Sequence, residues 1–229
     1  MKIYGLQKMT LLDFPGHVAC TVFLGGCDFR CPFCHNFELA CGKAEPVMEE
    51  EELYAFLEKR KGLLDGVAVT GGEPTLSRGL PDLLRRVKQM GFMTKLDTNG
   101  YHPQILREIL EEGLADYVAM DIKNSPEKYA ATAGTDRIEL DRIRESIRVL
   151  MESGTDYEFR TTVVSQLHEA RDFEEIGQMI RGAKRYFLQQ FTDRDSVPFG
   201  NLTAPDAAQM EAFAAVAGKY VPDTQLRGV

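Results

Sequence analysis

Residues 17–34 read HVACTVFLGGCDFRCPFC, an apolar run that ends in two glycines and then three closely spaced cysteines. The run from His17 to Leu24 is rich in β-branched and aromatic residues, which fit a pleated surface better than a helix. Its apolar residues are nearly continuous rather than alternating, the pattern of a strand buried on both faces of a parallel sheet. Such a strand needs helices over one face and an interior against the other, so it has to be one of a series.

Similar runs occur at 65–70 (DGVAVT), 92–98 (FMTKLDT), 116–122 (DYVAMDI), 157–164 (YEFRTTVV) and 185–191 (RYFLQQF). Helical periodicity fills the gaps near 48–61, 79–90, 103–112, 139–152 and 172–182, and a last helix is expected over about 205–218. Pro103 and Pro205 are expected in the first turns of their helices, where a missing N–H costs little. Repeated strand–helix units in one sheet are parallel and right-handed. Six of them predict an α/β fold, an incomplete (β/α)6 TIM-like barrel of parallel strands, with a flat doubly wound sheet as the alternative. No linker or low-complexity segment interrupts the pattern. Residues 1–229 are therefore expected to form one domain, with a core of about 15–195 and a C-terminal helix and tail over 203–229.

Composition narrows the class. The 229 residues are 44% apolar and 27% charged, an ordinary globular balance rather than that of a disordered or fibrous chain. Lys plus Arg number 27 against 35 Asp plus Glu, a net charge of −8, which argues against an obligate nucleic-acid partner. No apolar run approaches the ~18 residues of a membrane span, and the N-terminus lacks the apolar stretch of a secretion signal. A cytoplasmic protein is expected, and its five cysteines are then ligands, catalysts or buried thiols rather than disulfides.

The polar clusters fall at the C-terminal ends of the expected strands: Gly25-Gly26-Cys27, Gly71-Gly72-Glu73-Pro74, Asp97-Thr98-Asn99-Gly100, Asp121-Ile122-Lys123, Arg160 and Gln189-Gln190. A parallel barrel builds its active site on that rim. Cys27-x3-Cys31-x2-Cys34 lacks the second ligand pair of a structural zinc site, whereas thiolates in a short loop suit a [4Fe–4S] cluster. Three thiolates leave one iron open for chemistry. Cys20 reads as a small buried residue of the first strand and Cys41 as an incidental thiol, while His35 is left without a role.

The spacing Cys27, Cys31, Phe33, Cys34 resembles the C-x3-C-x-aromatic-C signature of the radical S-adenosylmethionine (radical SAM) enzymes, and Gly71-Gly72-Glu73-Pro74 resembles their GGEP element. Within that family, Leu11-Leu12-Asp13-Phe14-Pro15-Gly16 and Cys34-His35-Asn36 look most like the glycyl-radical-enzyme activases, and closest to those of anaerobic ribonucleoside-triphosphate reductase. The resemblance implies a [4Fe–4S] cluster on Cys27, Cys31 and Cys34 whose open iron chelates S-adenosylmethionine. It implies reductive cleavage of that sulfonium to a 5′-deoxyadenosyl radical, which takes hydrogen from a glycine of a partner glycyl radical enzyme. A flavodoxin- or ferredoxin-type donor is the expected electron source.

The same resemblance implies site roles. Gly71, Gly72 and Glu73 border the methionine amino group; Asp121 and Lys123 serve the zwitterionic methionine end; Thr98 and Asn99 reach ribose hydroxyls; Phe33 lies beside the adenine; and Arg160 meets carboxylate or ribose. Each has a plainer reading. Gly71–Pro74 is also a tight strand-to-helix turn, Asp121 with Lys123 a barrel ion pair, and Asp97–Gly100 an Asx-turn. His17, His102 and His168 read as surface or capping residues. An inserted ferredoxin-like segment needs about eight further cysteines, which this chain lacks. Some activases carry a histidine where Gln190 stands here.

Overall fold

The computed structural model describes residues 1–229. The six expected strands form as β3 (Ala19–Leu24), β5 (Gly66–Gly71), β6 (Met93–Thr98), β7 (Tyr117–Asp121), β8 (Asp156–Val163) and β9 (Tyr186–Gln190). Four more were not expected: β1 (Lys2–Ile3), β2 (Gly5–Thr10), β4 (Met48–Glu49) and β10 (Thr224–Arg227). One eight-stranded sheet runs β10-β9-β8-β7-β6-β5-β3-β2, and β1 pairs with β4 in a separate two-stranded ribbon. Every pairing from β3 to β10 is parallel, while β2 lies antiparallel on β3. The two edges stay apart, so the barrel is incomplete, as the sequence predicts.

Helices return the chain between the strands: α1 (Phe37–Ala40) and α2 (Glu50–Glu58), α3 (Leu80–Gln89), α4 (Pro103–Glu111), α5 (Tyr129–Ala133) and α6 (Leu140–Glu152), α7 (Ala170–Met179) and α8 (Ala207–Ala217). The acidic run opens α2, where Glu49 and Glu52 close a capping box and the carboxylates face the positive end of the helix. Pro103 begins α4 as expected. Pro205 does not begin α8: Asp206 is its N-cap, so the proline precedes the helix, and its carbonyl accepts from Gln190 Nε2 at 2.8 Å. None of the helices is long and apolar enough to cross a membrane.

Two apolar regions divide the interior. A 46-residue cluster fills the layer between sheet and helices, including Cys20 on β3 as a fully buried thiol. Phe14, Ala19, Tyr117 and Ala119 form a separate cluster that plugs the base of the barrel. The lumen above that plug is polar, and it opens at the C-terminal ends of the strands.

The Gly71-Gly72 pair has a reason the sequence reading missed. Gly71 sits at φ +121°, and a Cβ there lies 2.2 Å from the Leu24 carbonyl oxygen; a Cβ on Gly72 lies 1.9 Å from the Gly26 oxygen. The Gly72 N–H donates to Leu24 O at 2.8 Å and Glu73 N–H to Gly26 O at 2.7 Å. What the bare backbone approaches is therefore the neighbouring strand end, which carries the cysteine loop. Gly72→Ala should destabilise the protein by about 1–3 kcal/mol through this overlap, read as a lower urea midpoint. Gly91→Ala, at φ +93° but facing open space, should cost less.

Candidate active site

Above the plug lies a cavity with about 870 Å³ of empty space, part of it open to solvent, lined among others by Cys27, Cys31, Cys34, Phe33, Gly71, Gly72, Glu73, Thr98, Asn99, Asp121, Lys123 and Arg160. These come from the ends of β5, β6, β7 and β8 and from the loop after β3, so the barrel gathers every residue that the sequence singled out for the site. It adds Phe29, His35, Asn36, Ala40, Thr70, Asp97 and Thr162.

The cysteine loop is held from several sides. Its Arg30 N–H donates to Ala133 O of α5 at 2.9 Å, and Gly134 (φ +66°) leaves room where a Cβ would lie 2.0 Å from Arg30 O. Asn36 Nδ2 donates to Gly71 O at 2.9 Å, and His102 Nε2 meets Asp28 Oδ2 at 2.8 Å. Nothing around Gly134 or His102 in the sequence announces these contacts, because their partners lie more than 70 residues away.

Burial pushes the Cys27 thiol up to about 12 and Cys31 to about 11, and raises Cys34; the Lys123 charge pulls all three back. Cys27 Sγ already accepts from Phe29 N–H at 3.4 Å and faces Asn99 Nδ2 at 3.8 Å. No three His, Cys, Asp or Glu side chains converge as the ligands of one ion would. A four-iron cube instead takes each thiolate on a separate iron, so a spread trio on one wall, with N–H donors and a cation nearby, fits the cluster.

Facing the cysteines is a chain of ion pairs across β6, β7 and β8. Asp121 Oδ2 meets Lys123 Nζ at 2.9 Å and Oδ1 meets Arg160 Nε at 2.9 Å. Arg160 Nη1 reaches Asp97 Oδ2 at 3.2 Å, and Asp97 also pairs with the buried Lys95. The ion-pair reading of Asp121 and Lys123 is thus the observed geometry, and both still line the cavity. Three cations against two carboxylates leave the group one positive charge in excess. Burial opposes ionisation of Asp121, but Arg160 and Lys123 outweigh it and hold the carboxyl at about 2. Asp97 is lowered in the same way, against its burial, by Arg160 and Lys95.

Glu73 and its neighbours turn inward. Glu73 Oε1 accepts from Thr75 N–H, Thr75 Oγ1 and Thr98 Oγ1 at 3.1, 2.5 and 2.7 Å, and Oε2 accepts from Asn99 N–H at 2.6 Å. Burial pushes this carboxyl up while the four donors pull it down. It therefore ties the β5 rim to the β6 rim. Thr98 Oγ1 also accepts from Gly100 N–H at 3.1 Å, and Asn99 Oδ1 from Tyr101 N–H at 2.9 Å, the Asx-turn alternative.

Other residues are placed unambiguously. His35 stacks on Phe191 with parallel rings, its Nε2 2.7 Å from Thr192 O. His168, expected at the surface, is 5% exposed, with Nε2 2.9 Å from Lys123 O, because the loop after β8 folds beneath the Lys123 backbone. Cys41 is the C-cap of α1.

Because Asp121 titrates lower in the folded chain than in the unfolded one, it contributes stability above the ordinary carboxylate range that is lost as pH falls from about 4 towards 2. The cluster-free protein should show this as a falling thermal midpoint, and Asp121→Asn should be less stable at pH 7 yet lose less on acidification. Screening by cavity water limits the difference between the two acid limbs to about 1–2 kcal/mol.

A family model for the radical SAM superfamily matches residues 21–181. The chain is 29% identical over 233 residues to a Methanocaldococcus jannaschii protein whose name provisionally assigns it as a glycyl-radical enzyme activating enzyme, covering 99% of this chain and 96% of that one. It is 37% identical over 131 residues to the pyruvate formate-lyase-activating enzyme of Clostridium pasteurianum, a match spanning 54% of this chain and 52% of that enzyme. The structure of Streptococcus suis SuiB bound to S-adenosylmethionine shares the fold, with a TM-score of 0.68 at 14% identity over 91% of this chain and 52% of that one. The superfamily works with a [4Fe–4S] cluster and S-adenosylmethionine. The matched span runs from β3 to α7 and takes in the cysteine loop, the glycine rim and the Asp121–Lys123 pair: the chain belongs to the radical SAM superfamily.

Proposed function

We propose that this enzyme activates a glycyl radical enzyme, with Cys27, Cys31 and Cys34 as cluster ligands and the polar rim as the S-adenosylmethionine site. The similarity to the Methanocaldococcus jannaschii protein, spread over nearly the whole of both chains, carries this reading. A [4Fe–4S] cluster held by Cys27, Cys31 and Cys34 would supply, when reduced, the electron for cleaving S-adenosylmethionine to methionine and a 5′-deoxyadenosyl radical able to take hydrogen from the partner's glycine.

The chain's own groups prepare for this. Phe29 N–H and Asn99 Nδ2 bond the Cys27 sulfur, and the Lys123 charge favours thiolate on all three cysteines. Phe29, Phe33 and Ala40 give the cavity an apolar wall that limits water beside the cluster. The excess positive charge of the Lys95–Asp97–Arg160–Asp121–Lys123 chain suits a carboxylate, while Asp121 suits an ammonium. Glu73 acts as a positioning residue, fixing Thr98 and Asn99. A barrel mouth open to solvent accommodates a protein loop, since small substrates are usually enclosed.

Residues 1–229 act in this reading as one radical SAM domain in the cytoplasm, served by a flavodoxin- or ferredoxin-type donor. The stretches 11–16 and 34–36 favour anaerobic ribonucleoside-triphosphate reductase as partner; the Clostridium pasteurianum similarity favours a formate-lyase-type enzyme as second choice.

Reconstituted, reduced protein mixed anaerobically with each partner should yield a glycine-centred EPR doublet, strongest with the reductase. Cleavage of S-adenosylmethionine with no doublet from either partner would overturn the activase assignment. Cys31→Ala should lower cleavage to background, and retained cleavage would remove the cysteines from the site.

A further inference from the structure

The C-terminal strand β10 sends a charge into the barrel below the cavity. It lies parallel to β9, with Arg227 opposite Gln189. From there the Arg227 guanidinium covers the Phe187 ring at 3.4 Å and grips Glu158, Nη1 on Oε1 at 2.6 Å and Nη2 on Oε2 at 2.8 Å. Tyr117 donates its hydroxyl to Oε2 at 2.7 Å. Glu158 is 1% exposed. It stands two residues before Arg160 on β8, so both side chains lie on the lumen face, about 7 Å apart along the strand.

We propose that Arg227 is a positioning residue for the S-adenosylmethionine site: by neutralising Glu158 it leaves Arg160 to Asp97 and Asp121 and keeps this ion-pair network one positive charge in excess. The inference rests on the cavity being that site. A buried carboxylate stripped of its partner is costly and draws the nearest cation. Besides Arg227, the cation that contributes most to holding Glu158 ionised is Arg160, two residues along the same strand face, while Arg185 interacts with it more weakly. Drawn downward, Arg160 would loosen from Asp121, and Lys123 would be bound more closely to that carboxylate instead of facing a ligand. The charge count runs the same way. Within this ion-pair network Lys95, Arg160, Lys123 and Arg227 oppose Asp97, Asp121 and Glu158, four against three; without Arg227 the network is neutral and attracts a carboxylate less. The bidentate geometry and the ring beneath suit arginine.

The test is equilibrium dialysis of S-adenosylmethionine against anaerobic, cluster-loaded protein, with the thermal midpoint followed in parallel. Arg227→Gln should bind about tenfold more weakly. Adding Glu158→Gln should restore affinity to within about twofold, even where the midpoint stays low, because the charge to be neutralised has gone. A tail that merely packs predicts no such rescue. Equal affinity in Arg227→Gln, or a double variant as weak as the single one, would overturn the proposal. Should Arg227→Gln fail to fold, Arg227→Lys keeps the charge and must keep the affinity; a tenfold loss there overturns it. Wild-type protein that takes up the cluster but binds no S-adenosylmethionine overturns the site assignment, and the proposal with it.

Discussion

The three cysteines proposed as cluster ligands are buried where the thiol form is favoured, and the positive charge that favours thiolate is buried with them. Burial, reinforced by Glu73 at Cys27 and by Cys34 and Asp121 at Cys31, carries both thiols above the usual range. The opposing charge comes from Lys123, which is itself held by Asp121, which is shared with Arg160. No member of this chain is stable in the lumen without its neighbours, since an unpaired buried ion is far more costly than a paired one. Its order across β6, β7 and β8 follows from the parallel register, in which Arg160 lies opposite Asp121 while Asp97 lies opposite Ala119, two residues earlier, within reach of the guanidinium.

A second constraint is steric. The ends of β3 and β5 approach so closely that only glycine fits at positions 71 and 72. That contact fixes the root of the cysteine loop against the rim that carries Glu73, and Glu73 in turn holds Thr98 and Asn99 on the next strand. Rim and loop therefore behave as one piece, braced from beyond the barrel by α5 through Ala133 and Gly134. A radical site benefits from such rigidity, because misplacing the cofactor exposes a reactive species to the wrong hydrogen donor.

Much of this was legible in the residue order. Continuous apolar runs mark the six parallel strands, because being buried on both faces leaves no polar positions. The cysteine loop is legible because its three cysteines lie within eight residues of one another. Glu73 was legible as a site residue, but its bracing of Thr98 and Asn99 was not, because those partners belong to the next strand and a ligand contact and a brace look the same in sequence. His168 was misread for a similar reason, since its burial depends on a loop folding under Lys123. The strand β10 escaped notice because Thr224–Arg227 is short and mostly polar, with no periodicity to read.

Chain order alone thus settled the strands, the cysteine spacing and the residue types at the rim, all of them properties of neighbours within a few positions. The curl of the sheet settled which charges answer which. Glu158 and Arg227 are unremarkable letters 69 residues apart, and they acquire meaning only when the sheet curls and excludes water from the space between them. Electrostatic pairing depends on distance in a low-dielectric interior, and no local pattern in a chain encodes that distance.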